Sequence, residues 1–213
     1  MTVKTGSPSS LILGSVFLLS ASLALSQSAP SRQTVLDMLS GYEHIPSTQE
    51  LEVLGPEVPS VLMQIVQDTG VKKYRRLRAL SLLQHYPDNP EVTTFLTSLL
   101  SKKELPSGFR RATLLTLGHT AKGKAIGTLT PYLSSTDIHL REAAAQALMA
   151  TSDPSVGAIL KAAAERESEP FLKKHLAEMN RTLEADTQNN DKSDSRNDTK
   201  EKTQKGGKSK NDF

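Results

Sequence analysis

The chain has 213 residues, a formal net charge of +3, 4% aromatic residues and no cysteine. That length suits one globular domain or one solenoid of four or five repeats. Without cysteine there are no disulfides, no Cys-ligated zinc, no thiol catalysis and no lipid on a lipobox-type cysteine.

The first segment differs from the rest. Lys4 gives a slightly positive start, and LILGSVFLLSASLAL runs unbroken from Leu11 to Leu25. Ala24-Leu25-Ser26 then presents small residues just before Gln27. This is the layout of a secretory signal peptide over 1–26, and it predicts a periplasmic or secreted protein. The run is short against the ~20 apolar residues of a spanning helix. A retained N-terminal membrane anchor is the alternative; after cleavage no stable membrane span is expected.

Residues 27–55 read as a linker and a helical cap. SRQTVLDMLSGYEHIPSTQELEVLG predicts two short helices joined by the turn from Gly41 to Ser47. The Tyr42-Glu43-His44 group in that turn holds acid–base residue types. Adjacent residues in one turn more often belong to a surface loop.

A motif then recurs. It reads YRRLRALSLL from Tyr74, FRRATLLTLG from Phe109, LREAAAQALM from Leu140 and, more weakly, LKKHLAEMNR from Leu172. The spacings are 35, 31 and 32 residues. With those residues at position zero, position +1 is Arg75, Arg110, Arg141 and Lys173. Position +5 is Ala79, Leu114, Ala145 and Ala177, and position +8 is Leu82, Leu117 and Leu148. Positions 0, +3, +5 and +8 form one broad face of a helix. A second apolar segment precedes each copy: PEVPSVLMQIVQD from Pro56, PEVTTFLTSLLS from Pro90, AIGTLTPYLS from Ala125 and SVGAILKAAAE from Ser155. Pro56 and Pro90 are expected in first turns, where proline is tolerated. The units run over about 56–86, 90–119, 124–151 and 154–185, a period that marks a helical-repeat stack.

These units resemble HEAT repeats of the short bacterial kind, in which the second helix opens with a hydrophobic residue, an arginine and a run of Ala and Leu. The resemblance covers 56–185. It implies an all-α, right-handed α-α superhelix of about four helix pairs behind an N-terminal cap. It also implies a non-catalytic, cofactor-free scaffold that binds another protein on a concave surface lined by second helices. In that family an Asp closing the first helix helps to hold the arginine. Here Asp68 and Asp137 lie near that place but shifted, and only Glu104 precedes Arg110.

Charge is segregated along the repeats. Residues 33–70 carry acids and no Lys or Arg, whereas 71–124 are strongly basic. The resemblance brings Arg75, Arg76, Arg78, Arg110, Arg111 and Arg141 near one face. Arginine forks suit carboxylate or phosphate, so an acidic protein segment is the expected partner, with a polyanion-binding module as the alternative. The +1 residues Arg75, Arg110 and Arg141 equally suit packing between repeats. Arg76, Arg78 and Arg111 fall outside that position and are the sharper binding candidates. Nucleic acid is disfavoured, because aromatic stacking residues do not interleave with the basic ones.

Chemistry is sparse. His85 and His119 fall near the ends of successive second helices, but two histidines without a third ligand make a poor metal site. No phosphate-loop or nucleophile-elbow motif is present. Some short HEAT-like repeats belong to lyases of tetrapyrrole pigments, which leaves an accessory or lyase-like protein as a further alternative. Asn180-Arg181-Thr182 and Asn197-Asp198-Thr199 match the N-glycosylation sequon. Residues 186–213 have almost no apolar side chain and read as a disordered polar tail. Its Lys202, Lys205, Lys208 and Lys210 suit an acidic surface.

Overall fold

The computed structural model describes residues 31–41 and 45–185. The expected signal segment 1–26, the Tyr42-Glu43-His44 turn, the second sequon and the polar tail lie outside the described residues.

The fold is an all-α solenoid, and no strand occurs among the described residues. Two short helices, α1 (Arg32–Met38) and α2 (Thr48–Val53), form the N-terminal cap. Ser31 caps α1, and Ser47 with Glu50 forms a capping box at the start of α2. Four helical units follow. The first pairs α3 (Val58–Gln67) with α4 (Lys73–Leu82), the second α5 (Pro90–Leu100) with α6 (Ser107–Ala121). The third holds α7 (Ile126–Leu129) and α8 (Ile138–Ala150), the fourth α9 (Val156–Arg166) and α10 (170–185). Pro90 is the first residue of α5, behind the capping side chain of Asn89. Pro56 lies in the turn before α3, and Pro59 takes the expected first-turn place.

The third unit departs from the regular helix expected over 125–134. Its first element is a 3-10 turn (Lys122–Ala125), the single turn α7 and a second 3-10 stretch (Thr130–Ser134). Pro131 cannot donate a backbone bond, and its ring crowds the carbonyl four residues back. Gly123 and Gly127 weaken the helix further.

Second helices stack on one another, α4 on α6 and α6 most extensively on α8. Their buried rows fix the register. Ala79, Thr113 and Ala144 form one fully buried row; Leu80, Leu114 and Ala145 form the next. Leu82, Thr116 and Ala147, then Leu83, Leu117 and Leu148, are buried likewise. Each fully buried leucine contributes about 1.5–3 kcal/mol. These rows align Arg76, not Arg75, with Arg110 and Arg141. The motif register expected for the first copy is therefore one residue out: it set buried Leu80 against the half-buried Leu115 and Gln146.

The turns leaving the second helices stack as well. Asp88, Lys122 and Ser152 adopt positive φ (61°, 49° and 54°), a backbone state that few side chains favour. The Asp88 amide donates to the Thr120 carbonyl at 2.8 Å, and Lys122 pairs with the Asp88 carboxylate at 2.6 Å.

Candidate functional site

Arg76, Arg110 and Arg141 occupy the same place in successive units, and each ties its own first helix to the next unit. Arg76 Nε donates to the Val66 carbonyl at 2.9 Å, and its guanidinium stacks 4.8 Å over the Phe109 ring. Arg110 donates to the Leu100 and Lys102 carbonyls at 2.8 Å each, and to Lys103 at 3.1 Å. It also reaches the Tyr132 hydroxyl at 3.5 Å. Arg141 donates to the Ser135 carbonyl at 2.9 Å and grips Glu167 through Nε at 2.8 Å and Nη2 at 2.9 Å. Helix C-termini leave carbonyls without partners, and a guanidinium fork is well shaped to collect them.

The Arg141–Glu167 pair is well shielded, its side chains 14% and 5% exposed. The Arg141 bond chiefly holds the Glu167 carboxyl below its ordinary range against the opposing effect of burial, with the Glu169 amide and then the Arg141 charge adding to it. Glu167 further accepts from the Ser168 and Glu169 amides, both at 3.0 Å.

Asp68 and Asp137 do not meet these arginines. Asp68 pairs with Arg32 of the cap and accepts from the Gly70 amide at 2.8 Å. Asp137 caps α8 through the His139 amide at 2.9 Å and accepts from the Ser107 hydroxyl at 2.6 Å. The hydroxyl bond is the main reason that its carboxyl is held low.

The six arginines expected on one face are therefore divided. Arg76 belongs with Arg110 and Arg141 between the repeats, and Arg75 does not. Arg75 turns to its neighbour, with Nε 3.1 Å from the Tyr74 hydroxyl and the guanidinium 5.8 Å from that ring. Arg78 reaches back to the Gly41 carbonyl of the cap. Arg111 is exposed on α6 and has no ion pair among the described residues.

In the corrected register Arg111 shares its row with Leu77 of α4, Glu142 of α8 and Lys174 of α10. The adjacent row holds Ser81, Leu115, Gln146 and Glu178. These positions form the outer face of the second-helix layer. At the start of α10, Phe171 is 73% exposed and stacks on His175, with ring centroids 6.2 Å apart. Phe171 and Glu167 escaped the sequence reading. Glu167 precedes the weakest motif copy, and nothing in its own spacing assigns it to Arg141.

Helices α4 and α6 begin without an acidic residue in the first turn and without a side-chain cap. Lys72 and Lys73 stand at the start of α4, and Arg110 closes the first turn of α6. The positive end of the helix dipole adds to those cations, so this edge favours anions.

Two cavities open beside the inter-repeat arginines. One, about 260 Å³, is lined by Arg76, Lys102, Glu104, Leu105 and Phe109, among others. The other, about 240 Å³, is lined by Arg141, Arg166, Glu167, Leu133 and Ala163, among others. Among the described residues no cluster of three or more His, Asp or Glu is placed to hold a metal. His85 Nδ1 lies 2.8 Å from the Thr48 hydroxyl of α2. No helix among the described residues is long and apolar enough to cross a membrane.

A family model described as HEAT repeats matches residues 93–179. No curated protein and no solved structure matches the chain.

Proposed function

Because residues 93–179 place the chain in the HEAT-repeat family, whose stacks generally serve protein–protein contact, we propose that it is a non-catalytic scaffold for an acidic segment of another protein. The partner lies on the outer face of the second-helix layer, around Arg111. One observation carries this reading: Arg111 projects an exposed guanidinium from the middle of the stack, where no carboxylate among the described residues engages it. Half-buried Leu115 lies one turn further along α6, so the face offers charge beside apolar surface.

Capture with the mature chain, beside an Arg111→Glu variant, tests the reading. Charge reversal on an exposed site leaves the fold intact and removes the captured partner. Equal capture by both chains refutes the face.

The exposed Lys72, Lys73, Lys102 and Lys103 favour a second reading, a polyanion-binding module. A heparin column run across a salt series separates the two, because polyanion binding weakens steeply with salt. The signal-like pattern of 1–26 supports export. N-terminal sequencing of the mature protein checks it, and an intact Met1 overturns cleavage.

A further inference from the structure

Arg76 and Arg141 hold equivalent places, yet only Arg141 has a carboxylate in its fork. Glu167 lies six residues before Lys173, and Glu104 lies six residues before Arg110. The two acids are thus register equivalents, each in the turn that follows the arginine of the preceding unit. Glu104 lines the Arg76 cavity but makes no bond to Arg76.

The local backbone explains the difference. Glu167 is fixed by the amides of the next two residues, Ser168 and Glu169. The corresponding residues after Glu104 are Leu105 and Pro106. The Leu105 amide is already donated to the Lys102 carbonyl at 3.2 Å, and proline has no N–H. Glu104 therefore lacks the two anchors that hold Glu167, and it stays exposed. Arg76 spends its Nε on Val66, and neither Nη has a partner among the described residues. The cavity next to it is amphipathic: Arg76 and Lys102 oppose Glu104, while Val66, Leu99, Leu105 and Phe109 supply apolar wall.

We propose that the Arg76 cavity receives a carboxylate side chain, flanked by an apolar residue, from an acidic segment of a partner protein. The Arg141–Glu167 pair shows within this chain how such a fork is filled. The lining carries one net positive charge from Arg76, Lys102 and Glu104, which one carboxylate neutralises and a phosphate dianion exceeds. This site rests on the acidic-partner reading and adds a second contact to it, on the turn edge and not on the face of Arg111.

The test uses a fluorescein-labelled, terminally blocked peptide of repeated Leu-Glu pairs, the same peptide with Gln for Glu, and inorganic phosphate as competitor. Anisotropy with the full chain reads affinity. The Glu peptide binds and the Gln peptide does not. Arg76→Lys, which keeps the charge and loses the planar fork, weakens binding by about tenfold. Lys102→Gln weakens it and Glu104→Gln tightens it, each by roughly threefold for a charge near a partly exposed site. Those two residues are exposed, so their variants keep the test valid if Arg76→Lys fails to fold. Equal affinity across the Lys102, Glu104 and wild-type chains overturns the site. So does failure of the Glu peptide to bind, or its displacement by inorganic phosphate at millimolar concentration. Binding lost in Arg111→Gln but untouched by the cavity variants sinks the cavity alone and leaves the Arg111 face standing.

Discussion

Gly118 of α6 and Ala147 of α8 approach so closely that a Cβ on Gly118 would stand 2.2 Å from the Ala147 carbonyl oxygen. The obstacle is backbone, so relief requires the two helices to move apart. Overpacking of this kind costs about 1–3 kcal/mol. Gly118→Ala is therefore expected to lower the urea midpoint. Gly108→Ala, where a Cβ meets nothing within 4 Å, is expected to stabilise the chain by up to about 1 kcal/mol and so to raise that midpoint. A Gly118→Ala protein as stable as the parent would contradict the close crossing.

Removing Glu167 strands Arg141 in a shielded place. Loss of one partner of a buried pair costs on the order of 3 kcal/mol, so Glu167→Gln is expected to destabilise at neutral pH. The acid limb gives the sharper readout. The carboxyl titrates below its ordinary value in the folded chain. Its stabilising effect is present above the unfolded pKa and is lost as pH falls through the depressed folded one. Stability measured from pH 6 downward should fall less steeply in Glu167→Gln than in the parent.

The Tyr86 hydroxyl is buried and has no hydrogen-bond partner among the described residues. Burial, with the charge of Glu52 behind it, pushes its pKa from 10.0 to about 12. Folding thus favours the protonated phenol, and stability is lost as pH rises from the unfolded value toward the folded one. Tyr86→Phe removes a desolvated polar atom and is expected to be neutral or stabilising by up to about 1 kcal/mol. Alkaline titration of stability between about pH 10 and 12 should flatten in that variant.

The corrected register predicts unequal costs for adjacent arginines. Arg76→Ala loses a carbonyl bond and a ring contact, about 1–2 kcal/mol together. Arg75→Ala loses a local bond and ring contact to the adjacent Tyr74 and should stay within about 0.5 kcal/mol. Thermal denaturation of the two variants decides; the reverse order would restore Arg75 to the repeated position.

The solenoid was legible because the repeat writes its buried rows as leucine, alanine and threonine at helical spacing. The first copy slipped by one because Arg75 and Arg76 are adjacent and Leu82 and Leu83 are adjacent, so a shift by one still lands on a plausible residue. Burial of Leu80 resolves what spacing alone left degenerate. The breakage of the third unit was written in Pro131 but outweighed by the surrounding apolar residues. The link from Arg141 to Glu167 joins two units across a gap in sequence that no motif marks. The exposed place of Arg111 is legible as an arginine out of phase with the repeat, whereas the unfilled fork of Arg76 goes with Pro106, which offers Glu104 no amide.

The three arginine links differ in chemical kind: a ring face at Phe109, a phenol at Tyr132 and a carboxylate at Glu167. Of the three, only the carboxylate can take up a proton in acid, and it does so only below the ordinary carboxylate range. Acidification therefore acts on this series of clasps from its C-terminal end, loosening the last while the first two hold. A stack of near-identical units thereby acquires a direction, a polarity of response that its repeated helices alone would not confer.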